Sequence, residues 1–191
     1  ILYMKVAFIY GMKIKKDNKG NFYSTGGFNL LVWERYMSYG TSLTVPAIIS
    51  SSNDQKSSFN DEKSANLVPK NINIVKLPNL RNNLKTYFSI KERKKQKKLI
   101  IKTVINSDFV IIRLPSTIGN IAVKTCKRYK KPYVIEVVGD GFKALWYHSI
   151  RGKILAPISY CKMKGNVRNS KYVIYVTSEY LQKRYPSKGK S

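Results

Sequence analysis

Residues able to do chemistry gather in one stretch, Lys131–His148, which reads KPYVIEVVGDGFKALWYH. Tyr133–Val138 is an apolar, β-branched run broken by Glu136 and closed by Gly139-Asp140-Gly141. That is the pattern of a buried strand emptying into a tight turn. Open α/β sheets bind ligands beyond the carboxyl ends of their strands, which puts Gly139 and Asp140 at the floor of a crevice. A carboxylate inside a central strand is costly to bury alone, so Glu136 either pairs with nearby lysines or backbone amides or touches a ligand. His148 is the single histidine. Its near-neutral reference pKa suits a base, whereas its neighbours Trp146 and Tyr147 suit a packing role. Gly26-Gly27, ahead of a helical pattern, offers backbone amides that can hold an anion at a helix N-terminus; a plain structural turn is the alternative.

Positioning these residues takes a regular alternation of strand and helix. Leu2–Tyr10 reads as a strand and Gly11–Thr25 as a polar, lysine-bearing loop. Gly26-Gly27 opens a helix that runs to about Tyr39 and stops at Gly40. Leu43–Ile49 is a second strand, demoted towards a sheet edge by Pro46. Ser50–Pro69 has surface-loop composition, Ile72–Leu77 is a short strand, and Asn82–Asn106 forms one long helix or two separated by a bend. That helical region sets seven basic residues, Lys91 to Lys102, against a stripe of Leu84, Phe88, Leu99, Ile100, Thr103 and Val104. Phe109–Leu114 is a buried strand, and Ser116 caps a helix with Ile118, Ile121, Ala122 and Cys126 on one face. After the Tyr133–Val138 strand comes a helical region from Ala144 to Asn169, broken near Gly152 and Pro157. Tyr172–Val176 is another buried strand, and Thr177 or Ser178 caps a closing helix, Glu179–Arg184. The expected fold class is α/β: a single Rossmann-like domain with a mainly parallel sheet, right-handed crossovers and helices on both faces.

Composition narrows the partners. The 191 residues suffice for one substantial core, and 43% hydrophobic content is globular. With 36 Lys+Arg against 10 Asp+Glu the formal charge is +26, a field that attracts nucleic acid, an anionic membrane surface or phosphorylated substrates. Cys126 and Cys161 lack CxxC spacing and fall in helices, so buried free thiols in a reducing compartment are expected. The opening ILYMKVAFIYG is too short and too soon followed by lysines for a signal peptide, and no run reaches the roughly 18 apolar residues of a membrane span. A cytoplasmic protein, meeting a membrane from its inner surface if at all, is the expectation.

Strand one leading into Gly26-Gly27, the phrase KPYVIEVVGDGFKALWYHS and the segment YVIYVTSEYLQKRYPSKGKS together resemble the N-terminal half of a family 4, GT-B type glycosyltransferase. The resemblance covers residues 1–191 as the first of two Rossmann-like domains. It implies that this domain binds the acceptor, while a second domain, absent from this chain, holds the nucleotide-sugar donor and an E-x7-E type motif. It further implies that Gly26 and Gly27 lie near the donor diphosphate and the acceptor at the interdomain cleft, and that Gly139, Asp140 and the residues after them line the acceptor side. For a retaining member of such a family, the resemblance implies that the donor phosphate assists and no protein base acts on the acceptor; whether the outcome is retaining or inverting stays open. The implied function is the acceptor-binding half of an enzyme moving sugar to a glycan or lipid-linked acceptor in surface polysaccharide synthesis, inactive in this form by itself.

The candidate substrate-binding set is thus Gly26, Gly27, Glu136, Gly139, Asp140 and His148, with no catalytic residue, metal or resident cofactor called for. No Ser/His/Asp set, metal-ligand cluster or P-loop pattern supports hydrolase or NTPase chemistry. Partners expected are a nucleotide-sugar donor through the second domain and a glycan or lipid-linked acceptor; the Lys91–Lys102 helix is either a seat for an anionic membrane surface or, the slightly favoured alternative, a plain solvated face. A basic Rossmann-like nucleic-acid binder is the competing reading; it explains the charge, but no RRM, KH, helix-turn-helix or zinc-finger signature accompanies it. An oxidoreductase is disfavoured by the missing GxGxxG after the first strand.

Overall fold

Two alternating sets of apolar side chains on the first strand decide where the cores lie. In the computed structural model, which describes residues 3–24, 27–51, 66–80, 84–147 and 150–190, β1 (Lys5–Ile9) sends Val6 and Phe8 to one side of the sheet and Ala7 and Ile9 to the other. β7 (Phe109–Leu114) does the same: Val110, Ile112 and Leu114 join Ala7, and Ile111 joins Phe8. Period-two alternation with both faces apolar is the signature of a strand covered on both sides.

The strands between and beyond these are β2 (Lys13–Lys16), β3 (Phe22–Ser24), β4 (Ser42–Ser51), β5 (Asn66–Leu67), β6 (Ile72–Leu77), β8 (Tyr133–Val137) and β9 (Val173–Tyr175). Along the sheet the order is β5-β3-β2-β4-β1-β7-β8-β9, with β6 on the far side of β4. β1, β4, β6, β7, β8 and β9 are parallel to their neighbours, and β3 pairs antiparallel with β2 and β5. The helices are α1 (Leu30–Met37), α2 (Leu84–Phe88), α3 (Ile90–Ile105), α4 (Thr117–Arg128), α5 (Lys143–Trp146), α6 (Ile150–Arg168) and α7 (Tyr180–Arg184). α1 packs Trp33 and Tyr36 on the Phe8 face, while α3, α4, α6 and α7 bury Ile100, Ala122, Met163 and Leu181 on the Ala7 face. The domain is therefore α/β and Rossmann-like, with a mostly parallel sheet and helices on both faces, as expected.

Several local expectations are corrected. The loop of Gly11–Thr25 contains a hairpin, β2–β3, closed by Asp17, whose carboxylate accepts from the Asn21 amide at 2.7 Å and the Tyr23 hydroxyl at 3.2 Å. Gly20 supplies the turn's left-handed residue, φ 87°. β4 is interior, not an edge. Its register with β1 ends at Thr44 and that with β2 starts at Lys13↔Ile48. The Ile48 amide donates to Met12 O at 3.1 Å, so by alternation the N–H that Pro46 lacks would face the same side, where the chain bulges between β1 and β2 and no ladder bond is lost.

α1 starts at Leu30, its N-terminus capped by the Asn29 side chain accepting from Val32 N at 3.1 Å, and not at the glycine pair. Of the Ser50–Pro69 loop, residues 52–65 lie outside the described residues, and its ends belong to β4 and β5. Asn82–Asn106 resolves into two helices parted at Ser89, the N-cap of α3. Phe88 is exposed, while Gln96 takes a place in the buried stripe with Ile100, Thr103 and Val104. Pro157 sits inside an unbroken α6, four residues after the exposed Lys153, whose carbonyl it cannot bond. Cys126 is buried as expected, but Cys161 is exposed.

Candidate functional site

Parallel strands β1, β7, β8 and β9 all end at one rim, and the loops that leave them touch. A Cβ built on Gly11, after β1, would stand 3.4 Å from Ser116 Oγ, after β7. One on Gly139, after β8, would stand 3.6 Å from Pro115 Cδ; one on Gly141 would meet Met163 Sδ at 3.1 Å and Ser159 Oγ at 3.2 Å. Gly141 is thus the close approach that lets the turn settle on α6. Ser116 caps α4 at this same rim, its Oγ accepting from Gly119 N at 3.2 Å.

Beneath the rim on the α1 side lies a buried ion cluster. Glu136, 5% exposed, accepts from Arg113 Nε at 2.7 Å, from the Tyr36 hydroxyl at 2.6 Å and from Arg35 at 3.3 Å. Arg113 and Glu136 are register partners on adjacent strands. The Arg113 guanidinium carbon lies 4.9 Å from the Phe28 ring centre and 5.7 Å from that of Phe8, so its outer face is covered by π-systems that favour a cation. Burial, then the Glu136 carboxylate, push the Tyr36 hydroxyl far above its ordinary pKa and keep it a donor. The partners of Glu136 are arginines and a tyrosine, where lysines or backbone amides were the expectation.

Asp140 is the second node. It accepts from Phe142 N at 2.9 Å, Tyr180 OH at 2.7 Å, Arg184 Nε at 2.7 Å and Tyr185 OH at 2.5 Å. Burial alone would raise its pKa, but the Tyr185 and Tyr180 hydroxyls, the Phe142 amide and the Arg184 charge outweigh that and hold it at about 2. Asp140 therefore ties the loop after β8 to α7, and Phe142 stacks on Trp146 at 4.9 Å to continue the tie into α5.

Of the sequence candidates, Glu136, Gly139 and Asp140 come together around the end of β8. Gly27 is exposed in a turn, with nothing within 4 Å of an added Cβ. Its neighbour Phe28 packs 5.8 Å from Tyr10 and against Arg113, which brings this segment over the exits of β1 and β7. Gly26 and His148 lie outside the described residues. Sequence reasoning missed Arg35, Tyr36, Arg113, Tyr180, Arg184 and Tyr185. One signal was available: FVIIRL and YVIEV are apolar runs each broken by one charge, of opposite sign. Both carboxylates are engaged by the chain's own arginines, tyrosine hydroxyls and, for Asp140, a backbone amide, so each holds neighbouring elements in place. Among the described residues no group of three His, Cys, Asp or Glu could hold a metal ion.

Fold and rim together define a Rossmann-like α/β domain whose parallel strands send their loops to one carboxyl edge, the edge at which open sheets of this class bind ligands. No family model matches the chain. Protein CapJ of Staphylococcus aureus is 35% identical over 198 residues, an alignment that takes in 98% of this chain and 45% of the relative. The chain thus spans less than half the length of the curated relative it matches.

Proposed function

We propose that this chain is the acceptor-binding, N-terminal half of a GT-B type, family 4 glycosyltransferase, acting on the cytoplasmic side of the cell membrane in capsule-type surface polysaccharide synthesis. A nucleotide-sugar donor would be held by a second domain, and the acceptor, a glycan or lipid-linked sugar, would lie on the rim of Gly11, Ser116 and Gly139. The observation that carries the reading is the convergence of the loops after β1, β7 and β8 on one rim, with α4 capped beside them. The likeness to CapJ, whose name is in keeping with a capsule role and of which this chain matches a little under half, supports both the setting and the two-part plan.

The test uses the complete reading frame that contains this sequence, incubated with labelled nucleotide sugars and a lipid and glycan extract. Gly139 has no positive φ and only ordinary contact for a Cβ, so its backbone accepts a side chain, and Gly139→Leu would set a bulky group at the rim beside Pro115. Transfer is expected with the natural protein and at least about tenfold loss with Gly139→Leu at an unchanged unfolding midpoint. Absence of transfer from every common nucleotide sugar would end the reading.

A further inference from the structure

The outward side of α6 is apolar where a surface helix should be polar. Its buried face carries Ala156, Met163 and Val167. On the opposite face, at i, i+4 and i+8, stand Ile150, Ile154 and Ile158, which are 81%, 69% and 49% exposed. A helix apolar all round is normally covered all round, and a contiguous exposed apolar patch marks a surface that meets something. Trp146 of α5 extends the patch, with Lys153 Nζ 5.9 Å from its ring.

The charge around this patch says what that something is. α3, α4 and α6 lie side by side on one face of the sheet. Their sequences carry seven, three and five Lys or Arg, against a single carboxylate, Glu92 of α3. From Lys91 to Lys98 the exposed positions of α3 are all basic. Lys153 and Lys162 flank the isoleucines on α6 itself. Isoleucines ringed by lysines, with a tryptophan at one end, are the composition of a helix lying in an anionic lipid interface. Among the described residues no helix is long and apolar enough to cross a membrane, so contact of this kind is from the surface.

We propose that the outward face of α5–α6 seats on an anionic lipid bilayer, with Ile150, Ile154 and Ile158 entering the headgroup layer and Lys153 and Lys162 on lipid phosphates. α3 and α4 then add long-range attraction and α6 supplies the anchor. This changes the expectation drawn from the lysine helix α3, whose exposed apolar side chains, Ile90 and Ile105, stand at its two ends and form no continuous stripe among the lysines. The seat would bring the rim, which α5 and α6 directly follow in the chain, to the membrane surface. The surface lies outside the rim, so the inference stands without sugar transfer.

The experiment is sedimentation of the complete protein with neutral phosphatidylcholine vesicles and with vesicles one-quarter phosphatidylglycerol, at about 0.15 M salt. The natural protein is expected to pellet with the anionic vesicles at least about tenfold better. Ile154→Ser/Ile158→Ser is expected to lose at least about tenfold of that affinity with an unchanged unfolding midpoint. Lys94→Glu/Lys98→Glu on α3 should weaken binding less. A fluorophore on Cys161, exposed one turn further along α6, should shift to the blue on vesicle binding, a readout that needs no variant to fold. Equal binding to both vesicles, full binding by the isoleucine variant, an unmoved fluorophore, or an isoleucine variant that merely dissociates a dimer would each overturn the proposal. Sugar transfer to a water-soluble acceptor reports separately on the rim, so loss of one activity without the other identifies which reading has failed.

Discussion

At the scale of single residues, the ion cluster and the aspartate node carry the energetics. Glu136 and Arg113 are both largely buried and meet at 2.7 Å, so removing one charge leaves the other desolvated and unpaired. Glu136→Gln is expected to cost about 3 kcal/mol in urea unfolding, and the double change Glu136→Met/Arg113→Met less than the sum of the two single ones. A double-mutant cycle with no coupling would show that the pair is incidental. Asp140 predicts a pH dependence. Its carboxyl titrates at about 2 in the folded chain against roughly 3.9 when unfolded. Its contribution is therefore complete above the unfolded value and disappears as pH falls from roughly 4 through 2, a loss of about 2 kcal/mol. The gap in unfolding free energy between the natural chain and Asp140→Asn should be full near neutrality and close in acid; a gap that stays constant would disprove the linkage. Glu136 and Asp140 stood out in the sequence because a carboxylate in an apolar run and a Gly-Asp-Gly turn are local patterns. Their partners did not, because Arg35 and Tyr36 lie about a hundred residues away and only the β1–β7–β8 register brings them in.

At the scale of elements, α4 shows two effects in competition. Gly119 sits in its first turn, where alanine is favoured by intrinsic propensity by about 1 kcal/mol. A Cβ there would come within 2.9 Å of Arg113 O and of Leu114 Cδ2. The backbone of β7 cannot move aside, and overpacking of this kind costs about 1–3 kcal/mol. Gly119→Ala is therefore expected to destabilise by about 1 kcal/mol net, and a raised melting midpoint would mean that α4 stands further from β7. β1, β7 and β8 were legible because their apolar, β-branched runs are broken by at most one charge, and the Ser116 cap because a serine stands directly before an amphipathic stretch. The β2–β3 hairpin was not: lysines at three of the four β2 positions mask the alternation about Ile14, the buried one. Pro46 misled for a related reason. A proline excludes a central position only if its missing N–H faces a partner, and the bulge between β1 and β2 is a tertiary fact no local window contains.

At the scale of the molecule, charge dominates. A formal +26 on 191 residues is self-repelling, and repulsion among surface lysines opposes the compact state. Salt screens exposed charges within roughly a Debye length, about 10 Å at 0.1 M, but reaches buried pairs far less. Among the described residues the sheltered pairs are Arg113–Glu136, between the sheet and α1, and Arg184–Asp140 at the rim. The exposed Lys183–Glu179 pair is a surface contact of little weight. Screening should therefore remove more repulsion than attraction. Raising salt from about 0.02 to about 0.5 M is expected to stabilise the 191-residue chain by on the order of 1 kcal/mol, read as a rise in thermal midpoint. The chloride and sulfate salts should agree at matched ionic strength if screening is the cause. A midpoint that falls with salt would mean that surface ion pairs hold the fold together, and that the lysine faces of α3, α4 and α6 are satisfied within the domain instead of waiting for an anionic partner.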